Sequence, residues 1–256
     1  MSFTGNKTMI SIVLPTYNEA QNISKLIPEI EKIISENKLN AEILIVDDKS
    51  PDGTAEVARK FYKTYKNIRV VIRAKKEGIG AALKDAYDIA KGEVILSMDA
   101  DFQLNPKEIP KILKYFPEYD FVIGSKYLKP EKYRRQKISS LLRYLISRNG
   151  NLYLSIISGV PIKDFSLNFR AFKKEVWRSI KANDKENFFL VEMILQAYWK
   201  GFKIKEVAVA FEERHHGFSK TRVANQIFVF LFKGAWIVIK HKICSRTKNK
   251  KAIFRS

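Results

Sequence analysis

The 256-residue sequence is poor in cysteine, and acidic residues are a minority of its charged residues. The single cysteine, Cys244, excludes an intrachain disulfide and suits a reducing compartment. Lysine and arginine number 47 against 27 aspartates and glutamates, which gives a net charge of +20. A surface this basic favours anionic partners, such as nucleotides, phosphorylated substrates, nucleic acid or acidic lipid headgroups. The apolar fraction of 46% is large enough for a packed core, which excludes a disordered polymer.

The sequence also lacks the signals of export and of membrane spanning. Its polar start, residues 1–8, has neither the charged region, the longer apolar stretch nor the cleavage site of a secretory signal peptide. The most apolar late segment, residues 227–239, is interrupted by Lys233 and Gly234. This segment is shorter than the roughly 20 apolar residues that a spanning helix needs. We therefore expect no signal peptide and no transmembrane helix.

A helix in residues 227–239 could instead lie in the plane of a membrane interface. The tail that follows, residues 240–256, carries seven lysines and arginines and no acidic residue. Anionic headgroups attract such a tail by roughly 1 kcal/mol for each basic residue near the surface. The alternative is a solvated basic tail that follows a core helix.

Short apolar runs alternate with helical patterns along the first half of the chain. In the helical patterns, apolar residues recur at three- and four-residue spacing, as in residues 23–34 and 79–90. Nearly continuous apolar strands between helices are typical of a mostly parallel sheet that is covered on both faces. The sequence therefore predicts an α/β fold with strands at residues 10–14, 43–46, 70–72, 94–96 and 121–123.

Two helix starts are predicted from capping residues. Asn18 followed by Gln21 has the spacing of a capping box at the start of the first helix. Asn105 precedes Pro106, with Glu108 two residues further on, which favours a helix that begins at the proline.

The second half is less regular. Residues 126–148 hold eight basic residues and one acidic residue, and apolar residues recur at helical spacing from Ile138 to Leu145. We interpret this pattern as an amphipathic basic helix. It could dock on a membrane or be an ordinary core helix. A boundary near residues 126–133 is predicted, with the second half as an elaboration of one domain.

Polar clusters follow the first four predicted strands. In open parallel sheets, ligands bind beyond the carboxyl ends of the strands. Although the clusters are far apart in the sequence, we expect them to converge on one rim of the sheet. They are Pro15–Glu19, Asp47–Thr54, Lys76–Gly80 and Asp99–Gln103.

The pair Asp99 and Asp101 suits a hard divalent cation. Magnesium and manganese take one or two carboxylates and complete their coordination with waters and phosphate oxygens. Gln103 could add an amide oxygen or orient a water. Aspartate is also common in turns, so this spacing alone would be a weak signal. Its position after a buried strand, beside the other clusters, favours a metal site.

Two further features of these clusters each have two interpretations. Asp47 and Asp48 could be turn residues, or one of them could accept hydrogen bonds from a nucleobase or ribose. Gly78 and Gly80 could allow a phosphate to approach, or they could form a tight turn into the third helix. Neither the dinucleotide fingerprint nor the P-loop pattern is present.

Together, these segments resemble the family 2 inverting glycosyltransferases. The motifs that carry the resemblance are Pro15-Thr16-Tyr17-Asn18-Glu19, Val46-Asp47-Asp48-Lys49-Ser50-Pro51-Asp52-Gly53-Thr54, Lys76-Glu77-Gly78-Ile79-Gly80 and Met98-Asp99-Ala100-Asp101. The pattern Arg-x-x-Gly-x-Ser-Lys at residues 214–220 is similar to that of the branch that uses polyprenyl phosphate acceptors. The resemblance implies a Rossmann-like GT-A fold with amphipathic interface helices. It also implies transfer of mannose from GDP-mannose to dolichyl or another polyprenyl phosphate, with inversion, at the cytoplasmic face of a membrane.

The resemblance implies roles for individual residues. Pro15, Tyr17, Glu19, Val46 and Asp48 would contact the nucleotide, and Lys76 would approach it from the third loop. Asp99, Asp101 and Gln103 would hold Mg²⁺ or Mn²⁺ at the diphosphate, with Ala100 against the nucleotide sugar. Arg143, Ser147, Arg214 and Lys220 would face the acceptor phosphate.

The resemblance also implies a division of the chain and shows departures from the family pattern. Residues 1–222 would be catalytic, with a nucleotide-sugar half up to about residue 125 and an acceptor half from about residue 126. Residues 223–256 would form a membrane-interface helix and a basic tail. Lys126, a predicted substrate contact, replaces the usual arginine, so a bidentate phosphate clamp becomes a point charge. Residues 165–170, FSLNFR, replace the usual Thr-Ser-Gly-Phe-Arg, so the resemblance does not determine which hexose is transferred.

Three other functions remain open. The donor could be UDP-glucose, which would make the enzyme a polyprenyl-phosphate glucosyltransferase. The chain could also be a non-catalytic subunit. A membrane-anchoring partner is compatible with both the mannosyltransferase and the glucosyltransferase activity. The charge of +20 would also suit a nucleic-acid-binding protein, but that function gives no reason for acidic clusters after the strands. We therefore expect no nucleic acid partner.

Overall fold

The structure is a computed structural model that describes residues 8–116, 118–128, 138–211 and 230–244, with the backbone alone for residues 138–143. Within these ranges the chain alternates strands and helices. The strands are β1 (Ile10–Thr16), β2 (Ala41–Asp47), β3 (Ile68–Ile72), β4 (Val94–Ser97), β5 (Phe121–Ser125), β6 (Arg170–Lys173) and β7 (Ile204–Ala208). The helices are α1 (Ala20–Glu36), α2 (Thr54–Lys60), α3 (Ile79–Ile89), α4 (Ile109–Leu113), α5 (Ile138–Ser158), α6 (Lys174–Ser179), α7 (Phe188–Trp199) and α8 (residues 230–244). Short 3-10 turns lie at Phe61–Lys63 and Pro106–Glu108.

The strands form one sheet in the order β3-β2-β1-β4-β6-β5-β7. Every neighbouring pair is parallel except those that include β6, which runs antiparallel to both β4 and β5. The predicted α/β fold with a mostly parallel sheet is therefore confirmed. All five predicted strands are present, and each is one to three residues longer than its apolar run.

The sheet is held between two apolar cores because successive strand side chains point to opposite faces. In β2, Ile43 and Ile45 join the core beneath α1, α2 and α4, whereas Leu44 joins the core beneath α3, α6 and α7. In α1, the isoleucines and leucines from Ile23 to Ile34 bury one stripe on the first core. Burying each such side chain contributes about 1.5–3 kcal/mol, so the ends of the strands are firmly positioned.

Of the two predicted helix caps, the structure confirms one and contradicts the other. Asn105 accepts a hydrogen bond from the Lys107 N–H at 2.9 Å, and Pro106 opens the 3-10 turn that leads into α4, so this prediction is confirmed. The capping box at Asn18 is wrong. Helix α1 begins at Ala20 without a side-chain cap, and Asn18 adopts a φ of +58° outside the helix.

Helix α5 confirms the helix that was predicted from Ile138 onward, and it extends to Ser158. Helix α8 packs against it: a Cβ at Gly234 would lie 2.5 Å from Leu154 of α5. The Tyr153 hydroxyl donates to the carbonyl of Leu231 at 3.2 Å. None of the helices in the described ranges combines the length and the apolar character that crossing a bilayer requires.

Candidate active site

The register of the sheet brings the predicted polar clusters to one rim. Thr16 pairs with Asp47 and Asp47 with Ile72, so β1, β2 and β3 end at the same level. Val13 pairs with Ser97, so the turn after β4 lies beside the end of β1. Because β6 is antiparallel, the residues before Arg170 reach this same rim from the opposite direction.

The first two loops of the rim are joined by hydrogen bonds. The N–H groups of Asn18, Glu19 and Ala20 donate to side chains of the second loop, at Ser50 (2.9 Å), Thr54 (2.9 Å) and Asp52 (3.0 Å) respectively. Three successive backbone donors thus find acceptors on one neighbouring turn, which fixes the two loops relative to each other.

Asp47 and Asp48 have different surroundings. Asp47 is buried and accepts hydrogen bonds from the Thr16 hydroxyl at 2.9 Å and the Ser50 hydroxyl at 2.6 Å. Asp47 therefore ends β2, and its carboxylate stabilises the turn that follows. Burial raises the pKa of Asp48, and a hydrogen bond and ion pair with Arg73 oppose that rise. Of the two aspartates, Asp48 is the candidate for nucleotide binding.

Two basic residues accompany Asp48. Arg73 follows β3 directly and was missed by the sequence analysis, although a basic residue at a strand end was a usable signal. The Nζ atom of Lys76 lies 3.7 Å from the centre of the Tyr17 ring, a cation–π contact across the rim. Tyr17 and Lys76, both predicted to approach the nucleotide, are thus neighbours.

The other predicted nucleotide contacts differ in exposure. Pro15 and Glu19 are half-buried at the rim, and the Glu19 carboxylate accepts a hydrogen bond from the Asn22 side chain at 2.6 Å. Val46 is fully buried in the core beneath α3, so its side chain supports the sheet below the rim. Ala100 is also buried, within the opposite core. Their side chains support the rim from below, and the contacts of these two residues with the nucleotide sugar remain predictions.

Asp99, Asp101 and Gln103 lie on the turn directly after β4. Asp101 is 4% exposed, and its Oδ1 atom accepts from the Gln103 N–H at 3.1 Å, whereas Asp99 and Gln103 are half-buried. In the described part of the chain, no three histidine, cysteine or acidic side chains gather into a metal cage. Two carboxylates and an amide oxygen are hard donors, and they fit a magnesium or manganese ion that keeps waters and phosphate oxygens in its shell.

The predicted acceptor residues are only partly described. The Ser147 hydroxyl accepts from the Tyr127 hydroxyl at 2.8 Å, which brings the middle of α5 to the loop after β5. The Lys126 ammonium is mostly buried, 3.8 Å from Asp164 and near the Tyr127 and Phe211 rings. Three predicted acceptor contacts, the side chain of Arg143 and the residues Arg214 and Lys220, lie outside the described residues.

Gly78 and Gly80 are sites of close backbone packing. A Cβ at Gly78 would lie 2.3 Å from the Lys185 carbonyl oxygen, and a Cβ at Gly80 would lie 2.3 Å from that of Asp184. Gly78 also has a φ of +106°, a backbone conformation that residues other than glycine rarely adopt. The third loop is thereby pressed against residues 184–186, where Lys185 donates to Glu77 at 2.9 Å. This packing accounts for both glycines and supports the tight-turn interpretation.

Comparison with known proteins yields a family and a fold. A sequence model described as glycosyl transferase family 2 matches residues 11–179. The chain is 34% identical to the dolichol-phosphate mannosyltransferase of Pyrococcus furiosus over 227 residues, which are 87% of this chain and 61% of that protein. It thus spans only about three fifths of that relative. It is 31% identical to the polyprenol monophosphomannose synthase of Mycolicibacterium smegmatis over 222 residues, 84% of this chain and 81% of the relative.

Among solved structures, glucosyl-3-phosphoglycerate synthase from Mycobacterium tuberculosis, in complex with Mn²⁺, UDP and glucosyl-3-phosphoglycerate, is similar with a TM-score of 0.68. The match covers 91% of this chain and 82% of that one, at 19% sequence identity. At this identity the similarity concerns the fold alone, and it confirms the Rossmann-like GT-A architecture that the motifs implied.

Proposed function

The chain belongs to glycosyl transferase family 2, and we propose that it transfers a hexosyl group from a nucleoside diphosphate sugar to a polyprenyl phosphate. The observation that carries the proposal is the convergence of Asp48, Asp99 and Asp101 on one rim of the sheet. The names of the two mannosyl-transferring relatives favour mannose as the hexose and a polyprenyl phosphate as the acceptor. GDP-mannose is therefore the proposed donor, and UDP-glucose is the alternative.

The donor would bind across the first three loops. Asp48 is held by Arg73 and offers carboxylate oxygens to N–H or O–H groups of a base or ribose. Tyr17 offers an aromatic face and Lys76 a positive charge beside it. Together these side chains suit the ring and the negative charge of a nucleotide.

Asp101, Asp99 and Gln103 would hold a divalent cation, Mg²⁺ or Mn²⁺. Such an ion neutralises charge on a departing diphosphate. The protein's own contribution is to keep both carboxylates on one short turn whose backbone is tied to Asp101 by the Gln103 N–H. The turn is anchored in the first core by Ala100 and Leu104, which are both buried.

The acceptor phosphate has to be positioned for attack, and no strong base is needed to deprotonate it. A phosphate monoester, whose second pKa is about 6, is largely ionised at pH 7. One of its oxygens would attack the anomeric carbon as the bond to the diphosphate breaks, which inverts that carbon and releases the nucleoside diphosphate. Ser147 lies in hydrogen-bonding distance of Tyr127 and can donate to a phosphate oxygen. Arg143, Arg214 and Lys220 would add positive charge.

We assign catalysis to residues 1–222 and membrane contact to residues 223–256. The exposed side of α8 carries an apolar stripe of four residues, Phe232, Trp236, Ile239 and Ile243, each between 50% and 68% exposed. The opposite side of α8 faces the protein, where His241 stacks on Trp199 at 3.9 Å. Lys240 and Lys242 are exposed beside the stripe.

This arrangement suits peripheral binding to an anionic membrane, because the stripe can enter the interface while lysines remain at the headgroups. The α5 side chains Leu152 and Ile156 are also exposed, at 56% and 71%, on the other helix of this pair. The cytoplasmic face is proposed, in keeping with a chain that has a single cysteine.

The reaction is tested with the purified full chain, polyprenyl phosphate in liposomes, Mn²⁺ or Mg²⁺, and GDP-mannose and UDP-glucose side by side. Mass spectrometry of the lipid fraction should detect a hexosyl polyprenyl phosphate, and the donor consumed identifies the hexose. Transfer to a soluble sugar acceptor alone would contradict the lipid acceptor. No transfer from any of a panel of nucleotide sugars, with nucleotide binding retained, would favour a non-catalytic subunit.

A further inference from the structure

Asn168 lies beside the carboxylate of Asp99, although 69 residues separate them in the sequence. Strand β6 is antiparallel to β4, and Arg170 pairs with Ser97. The chain just before Arg170 therefore passes the carboxyl end of β4, where Asp99 begins the turn proposed to bind the metal. Asn168 is 2% exposed, so its amide is removed from bulk water.

Two hydrogen bonds determine how the Asn168 amide is oriented. The Ser97 hydroxyl donates to its Oδ1 atom at 2.7 Å, and its Nδ2 atom donates to Asp99 Oδ1 at 2.9 Å. An ionised carboxylate can only accept hydrogen bonds, so the amide group that faces Asp99 must be the NH₂. The carbonyl of Asn168 then faces Ser97, whose hydroxyl can donate to it. The two bonds are mutually consistent and admit one orientation of the amide.

The backbone around Asn168 is also fixed. The fully buried guanidinium of Arg170 donates to the carbonyls of Leu167 at 2.6 Å and Leu190 at 2.8 Å. Burial lowers the pKa of Arg170 to about 10, so the side chain is still cationic at neutral pH. Asp164 accepts from the N–H groups of Ser166 at 3.1 Å and Leu167 at 3.2 Å. The backbone on both sides of Asn168 is thus held, which fixes the point from which its side chain reaches Asp99.

We propose that Asn168, oriented by Ser97, is a positioning residue that sets the rotation of the Asp99 carboxylate for binding of the metal–nucleotide complex. The inference rests on the proposed function of the site and adds a residue to it.

The test compares Asn168→Ala and Ser97→Ala with the control Ser11→Ala. Ser11 is a fully buried serine near the start of β1, and its hydroxyl donates to Glu42 at 2.6 Å and accepts from the Gly92 N–H at 2.8 Å. The measured quantity is the Mn²⁺ concentration that gives half-maximal binding of GDP or UDP, whichever the unmodified protein prefers, by calorimetry without a sugar donor. Asn168→Ala should raise this concentration about 10- to 100-fold, as removal of a hydrogen-bond partner of a metal ligand does. Ser97→Ala should raise it by a smaller factor, and Ser11→Ala should leave it unchanged.

A second variant, Asn168→Leu, separates positioning from packing. It keeps the approximate size of the side chain but has no donor for Asp99. It should weaken Mn²⁺-dependent binding about as much as Asn168→Ala does, and saturating Mn²⁺ should restore much of the loss in both.

An unchanged Mn²⁺ requirement in folded Asn168→Ala or Asn168→Leu would overturn the inference, as would an equal loss in Ser11→Ala. If the unmodified protein binds nucleotide with no dependence on Mn²⁺, the metal part of the proposed function fails together with the inference. Mn²⁺-dependent binding in the unmodified protein with no effect of Asn168 overturns the inference alone.

Discussion

The Nη1 atom of Arg73 lies 2.5 Å from the Oδ1 atom of Asp48, and both side chains are almost completely buried. The same guanidinium donates through Nε to Asp85 of α3 at 2.7 Å and through Nη2 to Glu77 at 3.3 Å. One arginine therefore links the end of β2, the third loop and α3. Asp48 is held in place by this network rather than by its own turn.

Replacement of Arg73 by glutamine should weaken nucleotide binding without abolishing folding. Asp48 would lose its charged partner, and Asp48, Glu77 and Asp85 would no longer be linked through one guanidinium. We therefore expect the dissociation constant for GDP or UDP to rise about tenfold or more. Calorimetry measures this directly. Arg69→Gln is the matched control, because Arg69 pairs with Glu42 at 2.8 Å at the opposite end of β2. Equal losses of nucleotide affinity in both variants would contradict the role of Arg73.

Replacement of Asp101 by alanine should remove metal-dependent transfer while the fold persists. The carboxylate is the most buried member of the proposed metal site, and its loss should lower kcat/KM by at least about 100-fold, as removal of one charge-stabilising group does. Circular dichroism would verify folding, and hexosyl transfer would be measured over a series of Mn²⁺ concentrations. Asp120→Asn, which breaks an ion pair with Lys173 before β5, is the control. Full activity in Asp101→Ala would rule out the metal assignment.

Replacement of Trp236 and Ile239 by serine should release the protein from anionic liposomes. Each exposed apolar side chain that enters the interface contributes about 1.5–3 kcal/mol, so the partition coefficient should fall more than tenfold. Co-sedimentation with vesicles of phosphatidylglycerol and phosphatidylcholine is the measurement. Tyr62→Ser, at a ring that is 52% exposed on the 3-10 turn after α2, is the control. If the unmodified protein forms a stable dimer through this stripe in lipid-free solution, a second copy covers the stripe and the membrane assignment is wrong.

Replacement of Glu42 by glutamine should cost stability at neutral pH but not in acid. Burial acts to raise the pKa of Glu42, but bonds from Arg69, Ser11 and the Lys91 N–H outweigh it and leave the pKa below its usual 4.5. The ionised side chain therefore stabilises the fold above pH 4.5, and this contribution is lost as the pH falls through the lowered value. We expect a loss of about 1–3 kcal/mol in unfolding free energy at pH 7. Urea titrations from pH 7 down to a pH below the lowered pKa would measure the loss, and a loss independent of pH would contradict this account.

The first five strands were predictable because each is a local apolar run that lies between helices. Strands β6 and β7 were not predicted, since neither has such a run. Strand β6 is four residues long and begins with the buried Arg170, and β7 contains Lys205 and Glu206. Their positions depend on pairing with distant strands, which no local pattern records.

The candidate site was predictable to the extent that its residues follow strands. The convergence of the polar clusters came from the strand-end rule, and Asp99 and Asp101 from a short spacing. Arg73 and Asn168 were missed because each contacts the site through a residue that is distant in the sequence. Arg73 bonds to Asp48, 25 residues away, and Asn168 bonds to Asp99, 69 residues away. Asn18 was misread as a helix cap because its local spacing fits one, whereas its N–H donates to Ser50 on the next loop.

The close packing of the third loop connects the proposed donor site to helix α8. Asp184, whose carbonyl abuts Gly80, also forms an ion pair with Lys233 of α8. A few contacts thus connect the helix that carries the apolar stripe to the loop that carries Lys76. If α8 binds a membrane interface as proposed, this connection would keep the loop that carries Lys76 close to the membrane surface, where the proposed sugar donor would meet a lipid phosphate.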